Sequence, residues 1–264
     1  MHISIAQGVK LELVRVPAGE FLMGSDRQDE ETYDDERPSH HVFLSEFLIG
    51  KFPVTVEQFR VFLLKSGYEM PESKLSQIPN HPVRQVNWFD AQAFCRWASE
   101  TTQHPVRLPS EAEWEKAARG TDGRLWPWGD WEPKPNLGNF RMMRTLMTGW
   151  YPVPGPNQSI KGSSPRDTTP VGLASPEADS PFGCADMAGN VWQWTNSLFR
   201  PYPYRADDGR ETDKDLGMRV VRGGSFLSHF RRVRCTSRLR QPPRNRVAPD
   251  LGFRICLSVP STDS

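Results

Sequence analysis

Apolar and polar positions alternate with two different periods along this chain, and the change of period marks where strands give way to helices. Leu11 to Met23 reads as two short strands around the turn Pro17-Ala18-Gly19. His41 to Lys51 (HVFLSEFLIGK) again has strand character. From Thr55 to Ser66 the spacing lengthens. Phe59, Phe62 and Leu63 share one face at i, i+3 and i+4, which predicts a helix that Thr55 can cap. Asp90 to Thr101 predicts a second helix, with Ala91, Phe94, Cys95 and Ala98 on one side. Ser110-Glu111-Ala112-Glu113 is a capping box before a short third helix. Its first-turn carboxylates suit the positive helix end, and Gly120 stops it. From Gly120 to Pro181 periodicity is lost among Gly, Pro and Trp. Val191 to Trp194, Arg219 to Arg222, Arg232 to Thr236 and Gly252 to Leu257 read as closing strands. Asp26 to Pro38 (DRQDEETYDDERP) reads as an acidic solvated loop, and Pro201 to Asp215 as a polar surface loop.

Composition narrows the class. The 24 prolines, 20 glycines and nine tryptophans point to irregular structure pinned by aromatic anchors, with Trp126, Trp128, Trp192 and Trp194 among those anchors. No repeat or linker interrupts the 264 residues, so one domain over 1–264 is expected. A net charge of +1 gives no global field toward nucleic acid or membrane. No apolar run is long enough to span a bilayer. The opening MHISIAQGVKLEL lacks the charged head and apolar stretch of a signal peptide, which leaves a cytoplasmic location as the expectation. The last forty residues are rich in arginine, and Arg-to-carboxylate pairing inside the fold is the expected use. The four cysteines form no C-x-x-C pair, and the six histidines are scattered. Buried small hydrophobes are the expected role for Cys95, Cys184, Cys235 and Cys256.

Five blocks in order give the chain a family resemblance: FLMGS (Phe21 to Ser25), NWFDAQAFCRWAS (Asn87 to Ser99), RLPSEAEWEKAARG (Arg107 to Gly120), CADMAGNVWQWT (Cys184 to Thr195) and the frame GGS…GFRIC (Gly223 to Cys256). The chain resembles the formylglycine-generating enzymes, or sulfatase-modifying factors, over nearly its whole length. The resemblance implies an α+β, C-type-lectin-like formylglycine-generating-enzyme fold with much irregular structure. Active members oxidise a substrate cysteine with oxygen and copper held by two cysteines, the first directly after the GGS turn. Here Ser228 occupies that place, and no cysteine follows before Cys235. A hydroxyl cannot replace a soft thiolate on Cu(I), so no copper and no oxidase activity are expected.

The resemblance also implies a calcium site carried over to Asp186, Gly189, Val191 and Gln193, where Gln193 replaces the usual glutamate. Calcium stands there against a plain turn held by Asp186 hydrogen bonds. A second family calcium site would begin at Gly138-Asn139-Phe140, but no clear acidic partner follows. Some relatives bridge the counterpart of Cys95 to a position near Cys256. The last cysteine here is displaced by one residue, which turns it to the other face of a strand, so no bridge is expected.

A subgroup of the family lacks the catalytic cysteines and serves as the variable proteins of diversity-generating retroelements. Their mutated Asn codons cannot yield Lys, Glu, Gln, Met or Trp. Between Phe226 and Leu251 there is no Lys, Glu, Met or Trp, and one Gln, Gln241. The reading is therefore a non-catalytic ligand-binding module that such an element diversifies. Its expected ligand face comprises Phe226, Leu227, Ser228, His229, Arg232, Ser237, Leu239, Pro242, Asn245 and Val247, set against a protein or other macromolecular partner. Two other readings stand beside it: an undiversified degenerate homologue, and a divergent oxidase with other ligands.

Overall fold

The computed structural model describes residues 1–26, 32–70, 76, 78–146, 149–153 and 167–259. Residues 27–31 of the acidic stretch and residues 147–148 and 154–166 of the irregular stretch lie outside them. The chain runs β1 (His2–Ala6), β2 (Val9–Val16), β3 (Gly19–Met23), β4 (His40–Leu44), β5 (Phe47–Gly50), α1 (Val56–Ser66), α2 (Trp88–Thr102), β6 (Val106–Arg107), α3 (Glu111–Arg119), β7 (Met142–Leu146), β8 (Gly149–Val153), β9 (Trp192–Leu198), β10 (Arg219–Arg222), β11 (Arg238–Gln241), β12 (Leu251–Phe253) and β13 (Cys256–Ser258). It is an α+β architecture. One sheet has the order β1-β2-β5-β13-β6, a second has β11-β10-β9-β12, and two ribbons pair β3 with β4 and β7 with β8.

The helices form where polar caps meet an apolar face. Thr55 Oγ1 accepts from Gln58 N at 3.3 Å and opens α1, whose Phe59 ring lies 6.0 Å from Phe94 of α2 and 6.2 Å from Phe253 of β12. Each such fully buried aromatic stabilises the fold by about 1.5–3 kcal/mol. Helix α2 starts two residues earlier than its apolar pattern indicates. Asn87 is its cap, exchanging hydrogen bonds with Asp90 at 2.8 and 2.9 Å, and Trp88 Nε1 reaches Thr195 O at 3.0 Å. The Ser110–Glu113 capping box forms as read, and Gly120 ends α3.

Four expectations change, one of them the solvated acidic loop, inside which Glu36 is fully buried. Arg232 to Thr236 is no strand: Phe230–Val233 coils into a 3-10 turn and the strand begins later, at Arg238. Gly252 to Leu257 is not one strand but two. β12 runs parallel to β9, and β13 pairs with β5 and β6 in the other sheet. The Pro201–Asp215 loop is not wholly a surface loop. Tyr202, Tyr204 and Arg210 are buried, and Tyr204 Oη donates to Glu211 at 2.9 Å.

The arginines find carboxylates, as their numbers suggest. Glu36, inside the acidic stretch, is fully buried and receives a two-pronged bond from Arg234 at 2.8 and 2.7 Å. Glu111 receives Arg238 through two bonds of 2.7 Å, and Glu115 receives Arg222 and Arg119. Arg246 grips Asp90 on α2. All four cysteines are free and buried, and burial pushes their thiols up, that of Cys235 to about 12. No helix among the described residues is long and apolar enough to cross a membrane.

Candidate functional site

The turn after β10 is built so that only glycine fits. Gly223 and Gly224 have φ of +94° and +72°. A Cβ on Gly224 would meet Val233 Cγ1 at 2.6 Å, and one on Gly223 would meet the Trp114 ring at 2.9 Å. The turn delivers Ser225, fully buried, into a small hydrogen-bonded knot. Ser225 N donates to Ser228 Oγ at 3.0 Å, Leu227 N donates to Ser225 Oγ at 3.2 Å, and Ser225 Oγ donates to Asp250 at 2.5 Å. That last bond ties the start of the 226–251 segment to its end. Phe226 N donates to Asn190 O, and the backbone at Ser228 and Phe230 pairs with Arg141, the residue before β7.

The ten residues read as a ligand face separate into three groups. Phe226 and Ser237 are buried, which corrects their assignment: Phe226 packs inward after the GGS turn, and Ser237 lies beneath β10, where its carbonyl accepts from Arg222. Ser228, His229 and Asn245 are half-buried with side chains committed to their own loops, His229 Nδ1 accepting from Arg231 N. Asn245 Oδ1 accepts from Val247 N and Ala248 N, and its amide donates to Gln241 at 2.8 Å. Leu227, Arg232 and Leu239 are half-buried, with Leu239 packed against the core edge, and Pro242 and Val247 are exposed, Val247 at 87%. They form two patches, one beside Arg141 and one over the start of α2, where Trp88 N donates to Pro243 O. The signal missed in the sequence is the committed polar side chain: an Asn or Ser two or three residues from a turn amide is a loop brace as readily as a contact.

Of the residues carried over as calcium ligands, Asp186, Gly189, Val191 and Gln193, the last meets the first through its amide, yet its oxygen is spent. Its Oε1 accepts from Trp114 Nε1 at 2.8 Å and from Arg254 Nε at 2.5 Å, and its Nε2 donates to Asp186 O at 2.8 Å. Trp114 and Arg254 are donors only, so the orientation of the amide is fixed. With both lone pairs engaged, Gln193 offers a cation an N–H instead of an oxygen. The Asp186 carboxylate accepts from Gly172 N at 2.7 Å, and burial raises its pKa to about 6. A calcium ion would rest on Asp186 and backbone carbonyls, short of the six to eight oxygens it prefers. Melting temperatures in millimolar calcium and in chelator should therefore coincide. A calcium-dependent rise that Asp186→Ala abolishes would restore the four-ligand site.

Copper fits no better. Ser228 Oγ is a hard oxygen already accepting from Ser225 N, and the 226–234 stretch carries no sulfur. Cu(I) takes soft thiolate ligands. The arrangement at the turn can hold its loop and present neighbouring side chains.

Residues 6–259 match the profile of the sulfatase-modifying factor enzyme 1-like domain. The chain is 32% identical to the formylglycine-generating enzyme of Streptomyces coelicolor, over 91% of this chain and 87% of that protein. It is 29% identical to the inactive C-alpha-formylglycine-generating enzyme 2 of Bos taurus, over 96% and 90%. Two solved structures share the fold at 22% identity: PvdO from Pseudomonas aeruginosa, TM-score 0.78 over 98% of each chain, and Treponema denticola variable protein 1, TM-score 0.72 over 97% of this chain and 98% of that one. The fold is thus the C-type-lectin-like formylglycine-generating-enzyme fold that the sequence blocks indicate.

Proposed function

Because the chain belongs to the sulfatase-modifying factor enzyme 1-like domain family, we propose that it uses that scaffold as a non-catalytic ligand-binding module whose contacts lie between Phe226 and Leu251. The observation that carries the reading is Ser228. It stands where an active member would hold its first copper thiolate, and its hydroxyl is tied back to Ser225. Around it, a rigid frame of Gly223-Gly224-Ser225 and Gly252-Phe253-Arg254 supports side chains that stay at the surface. Arg254 locks one end of the frame, donating to the carbonyls of Gly50, Lys51, Ala185 and Asp186.

The division between side chains bound into the fold and those held at its surface shapes the test. Leu227, Pro242 and Val247 are the positions to vary; Phe226, Ser228, His229, Ser237 and Asn245 are to be kept, His229 because its Nδ1 accepts from Arg231 N at 3.4 Å and caps the turn there. Surface substitutions away from caps and networks usually change stability by under about 0.5 kcal/mol each. A displayed library randomised at those three positions should keep its protease resistance and yield binders to unrelated proteins. Loss of resistance in most members would place these side chains in the fold and refute the reading. Diversification by a retroelement belongs to the same proposal. It requires a reverse transcriptase gene and a near-copy of the final coding segment beside this gene, and an unaccompanied gene would leave an undiversified binding module.

A further inference from the structure

The 226–251 segment carries seven arginines and a single carboxylate, Asp250. The structure sorts the arginines by partner. Arg234, Arg238 and Arg246 meet Glu36, Glu111 and Asp90. Arg232, Arg240 and Arg244 meet no carboxylate among the described residues. Each instead lies on an aromatic ring: Arg232 on Tyr33 at 3.7 Å, Arg240 on Phe199 at 5.4 Å, and Arg244 on Phe89 at 5.3 Å. Arg240 and Arg244 are exposed and Arg232 is half-buried.

We infer that these three stacked guanidiniums form a preorganised anion-binding strip for an acidic protein segment, a deepening that rests on the reading of 226–251 as a ligand face. A guanidinium laid on a ring keeps its N–H edge free and loses little further side-chain freedom when it binds, which suits two-pronged contact with a carboxylate. Contacts link the strip. Two residues beyond Tyr33, Asp35 O accepts from Arg238 at 3.0 Å, and Arg238 stacks on the same Phe199 ring, at 4.5 Å, that carries Arg240. Arg238 and Arg240 share a face of β11 because strand side chains repeat every second residue. Pro242 and Pro243 then carry the chain to Arg244 over the start of α2. Asp34 and Asp35 follow Tyr33 directly in the chain, Asp208 pairs with Arg200, whose carbonyl accepts from Arg238, and Asp34 and Asp208 are paired with Arg37 and Arg210. Such interspersed carboxylates disfavour the continuous phosphate tracking of nucleic acid, and the chain as a whole is nearly neutral. Separate carboxylates on a peptide can fall between them.

The test uses a fluorescein-labelled oligo-glutamate peptide, with oligo-lysine and single-stranded oligothymidine as comparators, read by anisotropy at low and high salt. Oligo-glutamate should bind at low salt and be released at high salt. The triple variant Arg232→Gln, Arg240→Gln, Arg244→Gln should weaken it about tenfold or more. Arg96→Gln, an exposed change on α2, should leave it unchanged. If the triple variant unfolds, Arg240→Gln and Arg244→Gln singly should each give a partial loss. Tighter binding of oligothymidine overturns the proposal in favour of nucleic acid. Absent peptide binding, or binding that the variants do not alter, overturns it outright. The library experiment varies no arginine, so its failure and the failure of this strip are separate results.

Discussion

Replacing Arg222 by alanine should lower the free energy of unfolding by about 3–5 kcal/mol, because it breaks a buried ion cluster from one side only. Arg222 stands at the end of β10 with its side chain fully buried between Glu115, also fully buried, and Glu111 at 3.6 Å. It donates as well to the carbonyls of Cys235, Thr236 and Ser237, between 2.8 and 3.0 Å, and lies over the Trp114 ring. Burial works against its charge, and the Glu115 carboxylate above all outweighs that cost, so its pKa stands above the ordinary value. Alanine would leave Glu115 with Arg119 and Gly24 N alone and would strand three carbonyls without donors. The same residue anchors the start of the Gly223-Gly224 turn, so the loss should spread into the 226–233 segment. Urea unfolding monitored by tryptophan fluorescence gives the measurement. A loss below about 1 kcal/mol would mean that water or a neighbouring donor replaces the guanidinium. Arg222→Lys should recover part of the loss, since a point charge restores the ion pair but not the fork to three carbonyls.

A peptide containing Cys-x-Pro-x-Arg should leave incubation with this protein, copper, oxygen and reductant at unchanged mass. Cu(I) oxidation chemistry needs two thiolates at the surface, and the chain offers a hydroxyl at Ser228 and four thiols sealed in the core. Burial raises all four, so at neutral pH none is a thiolate. Ser228→Cys should restore one ligand of two and still leave the peptide unchanged. A mass loss matching the aldehyde in the parent protein would sink the non-catalytic reading; one in the variant alone would show that a single thiolate suffices. Alkylation offers a check independent of activity: native protein should take up no iodoacetamide, and unfolded protein should take up four.

The elements legible in the chain are those whose cause is local. Thr55 with Gln58, and Ser110 with Glu113, announce α1 and α3 because a cap and its returning side chain sit three residues apart in sequence as in space. Gly223-Gly224 is readable for the same reason, since positive φ selects glycine whatever surrounds it. Asn87 as the cap of α2 was available too, but the apolar run hid it by starting after the cap.

What only the tertiary structure decided are the partnerships between distant segments. An acidic stretch looks solvated until Glu36 is found 198 residues from Arg234 and bonded to it. Arg238 and Arg240 are two residues apart and chemically alike. One is buried on Glu111 and the other lies exposed on Phe199, because the helix that carries Glu111 packs under only one of them. Ser228 and Leu227 are neighbours, and the turn spends the first and leaves the second at the surface. Gln193 carries the same ligand oxygen on paper as in space, but Trp114 and Arg254, from two other segments, have already taken it. Composition supplies the donors and acceptors; which of them remain free for a partner is set by which neighbours the fold brings within about 3 Å.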